Sequence, residues 1–588
     1  MDLRSTLAES SLFAGLAPDA LDALAAIATP IELRSGERLF SEGDTAEHVY
    51  IVATGRLRVL IGDRIVGFIG RLEPAGEVGM LSGEVRAGTI ETVRDSLLIQ
   101  IPNDRLMEFL VGHPSALVAI TQVLIKRLRQ NQRQEHLASA RSARTFAVIS
   151  TSSEINASAF AHDLHRELKA LDKASLVTAA SVESALGEGM AHSADGPGNA
   201  RLVEWLNGIE REHRFLTYCA SGDPDAWAHR CMRQADRVIV LADARTTPIS
   251  TPMIDALSRS SILADIELVL LRPMESGGGD VLAWKSLTGA RAHHFLRPGN
   301  ERDLRRLVRL LTGRAVGLIL GGGGARGFAH IGLMRALEEL QMPIDIAGGS
   351  SMGALISSML ACGYSSHEML HLLRETFVTH NYLNDYMFPR VALVKGRKFL
   401  RRLREVFGEQ LIEHLRLPWF CVTSNLTRGT AMVHDSGPLE IWLAASMSVP
   451  GIFPPVIYKG ELLADGAVVN SLPTDVLQTL QRGPIIASDV STEGSIRAPG
   501  IEGPDPEGLL DHWPGPGDPP SLRDILFRTA TLTSESGVRR RAASADLYLR
   551  MPVGSIGMFE WKRVEEIVER GYQYAMEHLQ PARESLLK

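Results

Sequence analysis

Apolar residues in Leu12–Ile27 recur at helical spacing. Further on the period shortens to two, in His48–Val52 and Arg56–Ile61, with Gly36, Gly43, Gly55 and Gly62 as punctuation. This rhythm predicts a helix followed by the short strands of a small β-barrel. A long amphipathic stretch, Asn103–Arg129, closes the region, and the tract Lys126–Arg144, with six basic residues and one acid, reads as a solvated linker helix. From about 145 to 313, short apolar runs alternate with helical segments: Thr145–Ile149, Leu176–Ala179, Phe215–Tyr218, Arg237–Ala242 and Glu267–Leu271. Such a βαβ pattern predicts a parallel sheet covered by helices on both faces. It contains no phosphate loop and no dinucleotide glycine pattern. From 314 onward a buried-looking strand, Ala315–Leu320, runs into four glycines; a second apolar run, Ile344–Ala347, a helical run, Ala354–Cys362, and a Pro/Gly-rich loop, Ala498–Pro520, follow. The chain therefore divides as 1–135, 136–313 and 314–588, in the multidomain α/β class: a β-barrel with helices, a parallel-sheet α/β domain and a C-terminal α/β domain.

Composition narrows the function. With 588 residues, 45% hydrophobic and 22% charged, the chain is ordinary globular material, not a disordered chain, collagen or a coiled-coil rod. A net charge of -7 argues against a nucleic-acid partner. Cys219, Cys231, Cys362 and Cys421 form no CxxC pair, so neither a metal site nor a disulfide framework is expected, and a reducing compartment fits. No run of about 18 apolar residues suggests a membrane span, and the N-terminus lacks a signal-peptide layout. The expectation is a cytoplasmic chain whose membrane contact, if made, is peripheral on the inner face. A second copy of the chain is a candidate partner.

The chemistry concentrates after residue 314. In GGGGARGFAHIG, Gly321–Gly332, successive glycines after a strand let the backbone approach a ligand. A Walker A loop fails, because Phe328 follows Gly327 where Lys is needed. A dinucleotide fingerprint fits Gly322-x-Gly324-x-x-Gly327 by letter, but Asp345 lies at the start of the next apolar run, not beyond its end where a ribose would sit. An oxyanion hole is the third use. About 25 residues on, Gly349-Ser350-Ser351-Met352-Gly353 is a G-x-S-x-G pattern between a strand and a helix, with Ser351 as the nucleophile. Neither His512 nor His578 is placed like a triad base, and His330 and His434 read as structural. A carboxylate fits better: Glu461–Ala464 ends in Asp465-Gly466, and an acid freed at a strand end reaches a serine directly, although Asp-Gly alone is usually a plain turn.

Four elements, GGGGARG (Gly321–Gly327), GSSMG (Gly349–Gly353), AASMSVPGIFPPV (Ala444–Val456) and ADGAVVNSLP (Ala464–Pro473), resemble the patatin-like phospholipases, and among them the bacterial relatives of neuropathy target esterase. The resemblance implies a three-layer α/β/α fold and hydrolysis of phospholipid or lysophospholipid esters. It implies a Ser351–Asp465 dyad, an oxyanion loop at Gly322, Gly323 and Gly324, and a supporting basic residue at Arg326, with no cofactor required. Upstream, PAGEVGMLSGEVRAGTI (Pro74–Ile90) resembles the phosphate cassette of cyclic nucleotide-binding domains, which implies contacts from Gly76, Glu77, Arg86, Ala87 and Thr89 to cyclic AMP or cyclic GMP as a regulator. Gly79, Val85 and Gly88 depart from that family's usual Ala, Pro and Ala, which loosens the cassette but leaves its two polar contacts. Two rivals stand beside this reading: a nucleotide-sensing scaffold with a vestigial hydrolase domain, and a nicotinamide-binding protein.

Overall fold

The computed structural model describes residues 2–587 apart from 78, 80–83, 115, 118–120, 122–142, 195, 221, 261, 273–278 and 492–521. Most of the Lys126–Arg144 tract, the end of the Asn103–Arg129 stretch, the loop Ala498–Pro520 and His512 lie outside the described residues. The chain forms two compact units, Met1–Gly313 and Arg314–Lys588.

The first unit opens with helices Leu3–Glu9 and Pro18–Ile27 and a sheet of six strands, Thr29–Leu33, Arg38–Phe40, His48–Ile61, Arg64–Ile69, Pro74–Ala75 and Thr89–Pro102, paired antiparallel throughout. Period two does what the sequence rhythm requires. Val49 and Ile51 pack with Leu24, Ile99, Ile101 and Phe109, whereas Tyr50 and Val52 turn to Leu57, Ile90 and Leu98. Two expectations change. The two runs read between His48 and Ile61 are one strand, its register against Thr89–Pro102 shifting around Gly55. The helix expected from Leu12 begins at Pro18, whose fixed φ suits a first helical position.

Six parallel strands follow in the order Ala292–Leu296, Asp265–Leu271, Arg237–Asp243, Thr145–Ser150, Phe215–Cys219, Ala174–Val177. Phe146 and Val148 face one core and Ala147 and Ile149 another, as a sheet covered on both faces demands. Side-chain caps start the intervening helices, with Asn156, Asp225 and Asp280 each accepting an amide of the first turn. Ala292–Leu296 is the strand the sequence reading missed.

A buried ionic cluster ties this sheet to the first. The Arg94 guanidinium donates to both Glu210 oxygens at 2.6 and 2.8 Å and to Asp236 Oδ1 at 2.9 Å. Asp236 Oδ2 also accepts the amides of Arg144 and Thr145. Burial alone would raise the Asp236 carboxyl, but Arg94 and Arg56 outweigh it and hold it below the usual range. Arg94→Ala removes the cation shared by two buried carboxylates and is expected to destabilise the unit by about 3–5 kcal/mol. Chemical denaturation checks this, and an unchanged midpoint would contradict it.

Among the described residues the second unit forms a sheet of eight strands. Seven run in the order Val456–Tyr458, Glu461–Asp465, Trp419–Asn425, Ile346–Ser350, Gly317–Leu320, Ile485–Asp489, Leu547–Arg550, and Thr430–His434 pairs with Trp419–Asn425. Every residue of the four central strands is buried, which places helices on both faces in a three-layer α/β/α arrangement. The second apolar run is strand over Ile346–Ser350, two residues later than Ile344–Ala347, because Asp345 stays outside it and accepts the Val316 amide.

Candidate active site

The strand Ile346–Ser350 stops one residue before Ser351, which carries φ 54° and ψ -124°, and the helix Met352–Cys362 begins at the next residue. A left-handed serine between strand and helix is strained, and it lifts the side chain out of the sheet. The bend closes only around glycines: a Cβ on Gly353 would lie 2.1 Å from the Leu320 carbonyl oxygen, and one on Gly349 would lie 2.6 Å from the Gly353 carbonyl carbon. Gly353→Ala is therefore expected to destabilise the unit by about 2–4 kcal/mol and abolish activity. Thermal unfolding tests it; a wild-type Tm would show that the bend tolerates a side chain.

Sheet order brings the acid to the same end. Ser350 pairs with Val422, and the next residue of that strand, Thr423, pairs with Asp465 on its other side. Ser351 Oγ donates to Asp465 Oδ2 at 2.6 Å, and Oδ1 accepts the Ala467 amide at 2.8 Å. Asp465 is 1% exposed and Ser351 7%. Burial pushes the Asp465 carboxyl up to about 7, against the lowering effect of the Ser351 and Ala467 donors. A carboxyl so placed is a fit proton acceptor near neutrality. Gly466 lets the strand end press in, because a Cβ there would meet the Val422 oxygen at 2.2 Å. Sequence reading missed Ser446, whose Oγ accepts the Ser351 amide at 3.0 Å and donates to the Val422 carbonyl at 2.7 Å. It lies inside the quoted segment Ala444–Val456, the one signal that could have found it.

The glycine loop lies against this pair. A Cβ on Gly322 would be 3.2 Å from the Cβ of both Ser351 and Ala467. One expectation changes here: the Gly322 amide already donates to the Ser471 carbonyl at 3.1 Å, so it braces the loop. The amides of Gly323 and Gly324 donate to no described residue. Gly324 has φ +58° and packs on Met558, whose carbonyl accepts the Ala325 amide at 2.8 Å. Arg326 Nε donates to the Ile556 carbonyl at 2.6 Å, so one of its tasks is to fasten the loop to this C-terminal segment. Gly327 accommodates the Met352 side chain.

The described histidines His330, His434 and His578 are held in contacts away from Ser351. Fully buried, His330 bridges the Ser488 hydroxyl and the Gly321 carbonyl, and burial lowers it to about 4. His434, likewise lowered to about 4 by burial, bonds Thr423 Oγ1 and stacks on Trp442. His578 bonds a carbonyl of its own helix. Asp345, the acid of the dinucleotide alternative, is fully buried at the start of the first strand.

In the N-terminal cassette, Arg86 is 4% exposed, donates to the carbonyls of Gly76 and His48 at 3.0 and 2.6 Å, and lies over the Phe40 ring. Gly76, at φ +82°, leaves room for that guanidinium. Thr89 Oγ1 accepts the Glu42 amide, Ala87 is exposed and Glu77 half-buried. Val78 and residues 80–83 lie outside the described residues.

Among the described residues no group of His, Cys, Asp and Glu could hold a metal ion, and no helix is long and apolar enough to cross a membrane. Three family models match in order: a cyclic nucleotide-binding domain over residues 30–113, a Neuropathy Target Esterase family P-loop like domain over 142–298, and a patatin-like phospholipase over 318–477. The middle match fits the parallel sheet, although residues 151–156 after its first strand read TSSEIN, without the glycines and lysine of a phosphate-binding loop. Similar relatives include patatin-like phospholipase domain-containing protein 6 of Homo sapiens (28% identity over 92% of this chain and 44% of that protein) and neuropathy target esterase sws of Drosophila melanogaster (28%, 94% and 42%). A third is Lysophospholipase NTE1 of Pyricularia oryzae (26%, 94% and 42%). The chain thus spans less than half the length of these relatives. In that order the chain matches a cyclic nucleotide-binding domain, a P-loop-like domain and a patatin-like phospholipase domain, and it is similar to patatin-like phospholipases of the neuropathy target esterase type.

Proposed function

We propose that the chain is a serine hydrolase of lysophospholipid or phospholipid carboxylic esters working through Ser351 and Asp465. The observation that carries this is the 2.6 Å hydrogen bond from Ser351 Oγ to a buried carboxylate, with the glycine loop beside it. Ser351 Oγ attacks the ester carbonyl while its proton passes to Asp465. The negative oxygen that forms is held by the Gly323 and Gly324 amides. Collapse of the tetrahedral species expels the lysolipid or glycerophospho alcohol, which takes the proton back from Asp465. Water then attacks the acyl-serine with Asp465 again as base, releasing the fatty acid. The test is a hydrolysis screen across lysophospholipids, phospholipids and short esters, comparing wild type with Ser351→Ala. Turnover of at least one class, absent in the variant, supports the reading; no turnover of any class rejects it.

A cyclic nucleotide is the proposed regulator. The matched domain and the buried Arg86 beside Gly76 support this; a cyclic phosphate would compete with two carbonyls for the guanidinium. Calorimetry with cyclic AMP and cyclic GMP should show saturable heat that Arg86→Leu removes. No heat at millimolar ligand would reject it.

A further inference from the structure

Tyr386 and Val394 form an antiparallel bridge, and the Met387 amide donates to the Leu393 carbonyl, so residues 386–394 close into a hairpin-like tip. Its base is packed, with Ala392 and Val394 each 3% exposed. Its apex is the reverse: Tyr386 is 64% exposed, Phe388 78% and Val391 62%. Apolar side chains held outward by a tied backbone are not a folding remainder, since a loop this well anchored could have turned them in. Charge sets the patch apart as well. On a chain of net charge -7, residues 386–404 contain seven basic residues and no acid. Arg390, Lys395, Arg397, Lys398 and Arg401 are exposed, while the neighbouring Asp385 faces inward and accepts the amides of Gly396 and Lys398.

The tip and the dyad are both hydrogen-bonded to one short segment. The amides of Leu393 and Val394 donate to the carbonyls of Gly451 and Ile452, each at 3.0 Å. Three residues earlier in that segment, the Ser448 carbonyl accepts the Asp465 amide, and Ser446 accepts the Ser351 amide. We propose that the 386–391 tip docks on a lipid surface carrying anionic headgroups, its aromatic and apolar side chains entering the interface while the adjacent Arg and Lys residues meet lipid phosphates. This deepens the phospholipase reading by fixing where the chain meets its substrate, and in biological meaning it rests on that reading. Its binding test does not.

The experiment uses the full chain carrying Ser351→Ala, so that lipid is not consumed, and measures co-sedimentation with vesicles of phosphatidylcholine alone or mixed with phosphatidylglycerol. Binding should favour the mixed vesicles and weaken with salt. It should fall about tenfold or more in Phe388→Ser/Val391→Ser and in Arg390→Glu/Lys395→Glu/Arg397→Glu. The same tip substitutions in the otherwise native chain should leave turnover of a short soluble ester within about twofold, because they are exposed and outside the dyad and loop, while vesicle hydrolysis falls. Docking is overturned if the parent chain ignores both vesicles, if the tip variants sediment like it, or if light scattering shows that they change only self-association, which would make the tip a contact between copies. Retained docking without any ester turnover would instead leave the surface standing and remove the hydrolase reading.

Discussion

Ser351→Ala should lower lysophospholipid or ester turnover by about 10⁴-fold or more while leaving the fold intact. The variant loses the attacking oxygen, and nothing at the site replaces it, since Ser350 is fully buried on the strand behind. The fold should tolerate the change because Ser351 is anchored through its amide to Ser446, a contact that alanine keeps. The hydroxyl is also one of the two donors that lower the Asp465 carboxyl, so its loss should leave that acid still more protonated at neutral pH. Steady-state kinetics with a thermal unfolding control checks both halves. Turnover near wild type would place the nucleophile elsewhere.

Asp465→Asn should cost about 10²–10⁴-fold, the usual worth of a positioned base. The carboxyl sits at about 7 in the fold, so wild-type turnover should rise with pH through that region as the base form appears, and the asparagine variant should lack the limb. Stability runs the other way. The folded value lies above the unfolded value of about 4, so the buried acid weakens the fold increasingly as pH rises from about 4 to about 7, and by a constant amount above. Asparagine carries no such cost. The variant should therefore melt above wild type at pH 8, with the gap shrinking towards pH 4. An equal gap at both values would contradict the burial argument.

What could be read in advance, and what could not, follows from how each feature is encoded. Ser351 was legible as a candidate because the strained bend needs small neighbours, so side-chain identity reports backbone shape; Asp465 was legible chiefly through the resemblance, since Asp-Gly alone reads as a plain turn. In the middle sheet the parallel strands were legible as apolar runs, except Ala292–Leu296, whose His293 and His294 interrupt the run, His294 buried against Glu267. In the second unit the parallel strands Trp419–Asn425, Ile485–Asp489 and Leu547–Arg550 were not read either. The braces of the glycine loop left no trace. Ser471, Ile556 and Met558 act there through backbone carbonyls, which any residue supplies, from segments distant in sequence. For the same reason Gly322 could not be told from Gly323 and Gly324 as a donor.

The most direct test of the dyad is the rate and site of covalent labelling by a fluorophosphonate, followed by mass spectrometry of the intact chain and its peptides. One adduct is expected, on Ser351, forming much more slowly in Asp465→Asn and with a rate that climbs in wild type as pH passes about 7. An adduct on another residue, or labelling of Ser351 at an undiminished rate in Asp465→Asn, would contradict the dyad.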